Sequence, residues 1–345
     1  AKHPEWFCAC DFSGTELAKA DKYRKRNTKQ LCLYEAIHDE ELYGLLLDHC
    51  YDMIYASYDK NADIQIISVS KGDNEFLCTC SNCLANRKKY GKNCDLKESY
   101  EMLELLNKLS ADLHKDGKYP NLYLDTLAYT WTREAPAGMT ADDHVIIRWA
   151  PINRCYGHYL DSKEDTRNSE YYPELVKWTK VCKHVWIWDY DVNFRATLQP
   201  YANIDAMQHD IKLYKQLGIE GVYFQSNYNR DTLDTDFGHI HDYISGRMLQ
   251  DPSRDYEAEL AFYTDAYYGK SGKYVRAYMK CLEKQMANHH QVYDHRDDQT
   301  NYDTYMFSIF GGCRTWDKSY DNSCRMPDSD IGLCEGLWQK INTVS

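Results

Sequence analysis

Carboxylates, amides and indoles recur in this chain at the ends of short hydrophobic runs. DIQIISVS (63–70) leads into Lys71, Asp73 and Asn74; NLYLDTLAY (121–129) carries Asp125, Thr126 and Tyr129. HVIIRWAP (144–151) contains Arg148 and Trp149 and runs on to Asn153 and Arg154. HVWIWDY (184–190) ends in Trp188, Asp189 and Tyr190, with Asp191 next; IEGVYFQSN (219–227) ends in Gln225 and Asn227, with Tyr228 next. Two carboxyl groups are what glycoside cleavage needs. One protonates the leaving oxygen, the other attacks or activates water, and aromatic faces stack on the sugar. Asp73, Asp125 and Asp189 are therefore the candidate catalytic carboxylates. Trp149, Trp188, Tyr190 and Tyr228 are candidate sugar contacts, Arg148 would face an acidic or hydroxyl-rich group, and Asn74, Gln225 and Asn227 would fix hydroxyls. Each has a plainer reading beside it. A strand carboxylate such as Asp125 can brace a neighbouring loop, and Asp73 sits in a Gly-Asp-Asn turn that favours Asp on its own account. Trp186 and Trp188 share one side of their strand, so at least one is expected to pack in the core.

The second constellation is CTCSNC (78–83). Cys78, Cys80 and Cys83 could give three thiolates to a structural zinc, with Cys94 as the fourth. Packed free thiols and a disulfide stay open beside that reading. Four thiolates close a coordination sphere, so the cluster is expected to be a clamp on the loop before it, with no cofactor required for catalysis. His3, His144, His158 and His209 lack obvious partners at ligand spacing and read as packing or surface residues. No GxSxG, HExxH, P-loop or GxGxxG occurs, which removes support for a hydrolase triad, a zincin or a nucleotide site.

Composition narrows the class. The 345 residues are 43% hydrophobic and 27% charged, as in ordinary globular proteins. No apolar run approaches the roughly 18 residues that span a bilayer. A net charge of −12 opposes a nucleic-acid partner, which requires a basic face to neutralise phosphates. The densest basic stretch, KADKYRKRNTK (19–29), carries Asp21 and reads as a solvated loop. Thirty-one Tyr and 8 Trp are unusual. Such side chains pair an apolar face with a polar edge, as sugars do, so a carbohydrate is the expected partner. Fourteen Cys are too sparse for a disulfide scaffold of this length. The chain opens AKHPEWF, reads as processed or cut there, and leans towards a secreted or extracytoplasmic protein.

The elements that must position these groups alternate. AIHDEELYGLLLDHCYDMIYAS is helical ahead of the first strand; ESYEMLELLNKLSADLHK puts Met102, Leu105, Leu106, Leu109 and Leu113 on one stripe. IDAMQHDIKLYKQLG is a helix with Asp205 placed to cap it and Gly218 to stop it. Short strands alternating with amphipathic helices mean parallel β/α units. The expectation is an α/β protein, a (β/α)8 TIM-barrel-like fold over 1–250 showing its C-terminal half, then a helical region over 251–345. The tail from about 296 reads as an irregular cap or a last helix pair. Five strands leave an open sheet edge, so a missing N-terminal segment or a partner chain is expected to complete the barrel.

The order of HPEWF, QLCL (30–33), IISVSKGDN, CTCSNC, LYLDTLAYTWTR, VIIRWAPINRC, VWIWDYDVNF, GIEGVYFQSNYN and YISGRMLQDPSRD resembles the bacterial DUF4838 family over about residues 1–280. The resemblance implies a glycoside-hydrolase-like (β/α)8 barrel similar to α-glucuronidases and β-hexosaminidases. Relatives carry an N-terminal domain and first barrel strands ahead of the HPE segment. They commonly place an acidic residue before the Gln of the last strand, where this chain has Phe224-Gln225. The expected function is a glycoside hydrolase. The alternatives are a non-catalytic glycan-binding or scaffold protein on the same fold, and a zinc protein organised by the Cys cluster.

Overall fold

The computed structural model describes residues 2–9, 26–58, 63–74, 76–90, 97–191, 201–226, 237–286, 313–314, 320–321 and 328–344; Cys94, Asn227 and Tyr228 lie outside them. The chain divides into two compact units, Ala1–Ala150 with Glu174–Ile187, and Pro151–Pro173 with Trp188–Ser345.

In the first unit β1 (Phe7–Ala9) pairs antiparallel with β2 (Arg26–Leu31). The end of the basic stretch expected to be loop is thus strand, while residues 19–25 lie outside the description. The charges misled there, because an antiparallel partner satisfies the backbone whatever the side chains are. Two helices follow, α1 (Leu33–His38) and α2 (Glu40–Ser57). Asp39 caps α2, its carboxylate accepting the Leu42 N–H at 2.8 Å, one of the donors every helix start leaves unpaired.

Next come β3 (Gln65–Ser68), α3 (Ser81–Lys88), α4 (Ser99–His114), β4 (Leu122–Ala128) and β5 (Val145–Trp149). The α4 stripe is buried along its length, as the spacing requires. Each fully buried Leu there contributes about 1.5–3 kcal/mol of burial energy. Both α5 (Asn168–Val181) and β6 (His184–Tyr190) carry the chain across the division between units.

The strands of the main sheet lie in sequence order, β3-β4-β5-β6 and then β7 (Gly221–Gln225). Pairing is parallel from β3 to β6, with Ser68 beside Asp125, Asp125 beside Ile146, and Arg148 beside Trp186. The five strands expected from the sequence are these five. Thr126, Ala128 and Ile147 share a small apolar space with Met102, Leu103 and Trp178, which identifies the helix-covered face of the unit 1 sheet. Alternation along the strands puts Ser68, Tyr123, Asp125 and Arg148 on the opposite face.

The second unit holds α6 (Ile204–Gln216), α7 (Gly238–Gln250), α8 (Tyr256–Tyr268), α9 (Gly272–Met286), a two-residue ladder of β8 (Cys313–Arg314) with β9 (Tyr320–Asp321), and α10 (Asp328–Val344). Ile211, Ile240, Ile244, Met248, Leu260 and Leu282 are among the residues of its core. The end of α6 is as expected, since Gly218 takes φ +75°, open to glycine without strain. Its start is not. Asn203 occupies the cap, and Asp205 lies in the first turn, where it accepts a hydrogen bond from the Tyr159 hydroxyl at 2.7 Å. The tail contributes one helix, not a pair, among the described residues. No helix among them is long and apolar enough to cross a membrane.

Candidate functional site

The polar face of the unit 1 sheet centres on an ion pair. Arg148 of β5 meets the Asp125 carboxylate of β4 from a diagonal position two residues further along, the spacing at which long side chains reach across neighbouring strands. Asp125 is 1% exposed and Arg148 24%, so the guanidinium covers the carboxylate from the solvent side. Burial lowers the proton affinity of Arg148. Asp125 Oδ1 and the Trp186 indole N–H have no hydrogen-bond partner among the described residues. Ser68 Oγ and Ser70 Oγ lie 3.3 Å apart at the end of β3, and Ser70 Oγ accepts the Leu127 N–H. One face thus gathers a carboxylate from the middle of β4, a guanidinium, two hydroxyls at the end of β3 and a part-buried indole from β6.

Beyond β3 the loop is tied inwards. The Gln30 side-chain oxygen accepts from Gly72 N at 3.0 Å and from Asn74 Nδ2 at 3.2 Å, while Asn74 Oδ1 accepts from Phe76 N. Asn74, expected to meet a sugar, is engaged in holding this turn. Asp73 between them is exposed. Lys71 reaches back to the Phe76 carbonyl and to Glu98, whose other oxygen accepts the Cys78 N–H at 2.9 Å. Arg87, fully buried on α3, joins Glu98 to Glu101. Burial pushes the Glu101 carboxyl up to about 7 against the pull of Arg87.

Next to this network four sulfurs converge. Cys32, at the junction of β2 and α1, stands 3.4 Å from Cys83 Sγ, 3.6 Å from Cys78 Sγ and 3.8 Å from Cys80 Sγ. Cys80 caps α3 and accepts the Cys83 N–H on its sulfur. As bare thiols they shift apart. Cys78 and Cys80 move down and Cys83 moves up, each chiefly through its hydrogen bond with Cys32. The sequence pointed to three of these and missed Cys32. The only signal for it was a lone Cys in QLCL, nearly fifty residues away in sequence. Cys94, the expected fourth, lies outside the described residues.

In the second unit Asp189 is fully buried. It is held by Arg154 at 3.0 Å, by the Tyr214 hydroxyl at 2.6 Å and by Tyr190 N at 3.1 Å. Arg154 also meets Asp210 at 2.8 Å and lies 4.4 Å from the Tyr156 ring centre. Burial opposes its charge, and Asp189 then Asp210 more than offset that. Asp210 itself is pushed up by burial to about 6. Asp191 pairs with His241 at 2.8 Å.

The aromatic candidates differ in exposure. Trp149 is buried on the helix-covered face of its strand and Tyr190 is buried in unit 2. Trp188 is half-exposed, donates its indole N–H to Gln225 at 3.0 Å and meets Tyr223 edge-on at 4.6 Å. Asn227 and Tyr228 lie outside the described residues. Unit 1 thus brings together Asp125 and Arg148, with Asp73 on a strand-end loop, while Asp189 belongs to a buried pair in unit 2.

A further cluster went unread in the sequence. His158, expected to lack a partner, places Nδ1 at 3.2 Å from Cys155 Sγ and 3.1 Å from Asp165 Oδ2. Asn168 braces it, donating to the Cys155, His158 and Tyr159 carbonyls. Both contacts fall on one ring nitrogen, so this is a charged pair and not a proton relay. The Asp165 bond raises His158 from its usual range to about 10, with Cys155 adding to it. A raised histidine contributes stability that is complete below about pH 6.5 and is lost as pH rises through about 10. The urea midpoint should therefore fall between pH 7 and pH 10, and His158→Gln should shrink that fall. An unchanged fall in the variant would show that the pair does not carry it.

No curated protein and no solved structure matches the chain. A family model described as a domain of unknown function, DUF4838, matches residues 1–280, and the chain belongs to that family.

Proposed function

We propose that this chain is a carbohydrate-active protein of the (β/α)8-barrel type that binds a glycan over the polar face of its sheet and hydrolyses a glycosidic bond there. The observation that carries the reading is the Asp125–Arg148 pair, set with Ser68 and Trp186 on the face of the parallel strands opposite the helix-covered one. In β/α folds of this type functional groups gather at the C-terminal strand ends. A carboxylate against a guanidinium suits the base or nucleophile of the reaction, so the acid falls to another group. Asp73, exposed one strand away, is assigned that role. Arg148 would orient hydroxyls or a sugar carboxylate, and Trp186 would offer its ring face.

A glycan-binding protein that cleaves nothing is the second reading. What favours it is the engagement of Asp189, whose oxygens are taken up by Arg154, Tyr214 and Tyr190, which removes one of the three carboxylates from chemistry. The test is binding and hydrolysis measured on the same panel of aryl glycosides and oligosaccharides. Cleavage of a ligand that binds supports the first reading. Binding across the panel with no cleavage supports the second, and neither binding nor cleavage removes both.

A further inference from the structure

We infer that Cys32, Cys78, Cys80 and Cys83 form a closed four-thiolate zinc site that staples the β2–α1 junction and α3 to the loop after β3. This rests on unit 1 alone and holds whether or not the chain cleaves a glycan.

The spacing of the sulfurs carries the argument. A tetrahedral zinc with bonds of about 2.3 Å sets its ligands about 3.8 Å apart. The three separations from Cys32 are 3.4, 3.6 and 3.8 Å, and all four sulfurs lie within 4.8 Å of one another. A disulfide would need about 2.05 Å and would pair the sulfurs two by two. These four instead share one centre, with Cys32 facing all three others.

The local backbone fits the same reading. Cys80 and Cys83 are the cap and third residue of α3, and the Cys83 N–H points at Cys80 Sγ from 3.4 Å. A sulfur that accepts an N–H while binding a cation is a thiolate, and the positive end of α3 favours that charge. Arg87, one turn after Cys83, lies close enough to act on its charge.

A fifth sulfur is nearby and hydrogen-bonds to Cys78, but it falls outside the four that all lie within 4.8 Å of one another. Cys8 packs in the same cluster, but its Sγ donates to the Leu31 carbonyl at 3.1 Å, so it holds its proton. It belongs beside the site and not in the coordination sphere. Zinc would take the place of up to four thiol protons, releasing them to solvent, with no change of oxidation state. The sphere leaves no open position, so the metal's work is structural.

The full-length protein, purified under reducing conditions and supplied with zinc chloride, should hold about one zinc per chain. X-ray absorption at the zinc edge should show four sulfurs at about 2.3 Å. Cys32→Ser should lose the metal after dialysis against a chelator, while Cys8→Ser and Cys94→Ser keep it. Chelation of the wild type should raise hydrogen exchange across residues 69–80. Should Cys32→Ser fail to fold, the absorption spectrum of the wild type still decides the ligand number. No bound zinc, a first shell with nitrogen or oxygen, or metal kept by Cys32→Ser and lost by Cys94→Ser would each overturn the assignment.

Discussion

Replacing Asp125 by Asn should lower glycoside turnover by roughly 10²–10⁴-fold, the range removed when a positioned base is lost, while sugar affinity largely survives. The amide keeps the shape of the carboxylate and can still accept from Arg148, so stacking and hydrogen bonding to the glycan remain. What disappears is the charge that takes a proton or attacks the anomeric carbon. Asp189→Asn is the informative companion. Asp189 is fully buried and committed to Arg154 and Tyr214, so its loss should appear as a lower urea midpoint. Turnover per folded molecule should hold. A fall in kcat that tracks Asp189 and spares Asp125 would reverse the assignment. If wild type binds without cleaving, Asp125→Asn can only change affinity, and the hydrolase reading fails with it.

The split between these two aspartates shows what the sequence could and could not reveal. Strand position was legible, because hydrophobic runs of four to seven residues with period two identify themselves. The parity of each side chain was legible in principle too. In β6 the sequence placed Trp186 and Trp188 on one side, and both are half-exposed while Val185, Ile187 and Asp189 alternate as the buried set. Asp189, a candidate carboxylate because it follows two Trp at a strand end, belongs to the buried set of that alternation. Its partner Arg154 lies thirty-five residues earlier in a loop, where no periodicity announces a contact.

The cysteines repeat the lesson. CxCxxC names three of the four clustered sulfurs by spacing alone, since a helix start fixes the geometry of Cys80 and Cys83. Cys32 arrives through strand pairing between β1 and β2, a non-local contact that depends on a stretch read as loop. Charge content misled there. Lys and Arg side chains say where a strand is solvated, not whether it is a strand.

The second large effect belongs to Arg154. Arg154→Met should destabilise the protein by about 3–5 kcal/mol, the usual result of removing one partner from a buried ion pair. Two carboxylates depend on that guanidinium, Asp189 at 3.0 Å and Asp210 at 2.8 Å, and both are fully buried. Without it Asp210, already raised to about 6 by burial, would take a proton more readily. The Tyr214 hydroxyl and the Leu160 N–H would keep their acceptors, and for that reason the loss should stay below the full expense of two bare charges. Sign follows from the chemistry. Protonation relieves the stranded carboxylates, so the variant should regain part of its stability as pH falls from 8 to 5, in the window through which a raised carboxylate titrates. The double variant Arg154→Met with Asp189→Asn should be less unstable than the sum of its singles, because the first change removes what the second would have broken. Urea unfolding followed by circular dichroism at both pH values measures all of this. A single variant within about 1 kcal/mol of wild type, or strict additivity in the pair, would mean that the network does not hold the fold of this unit.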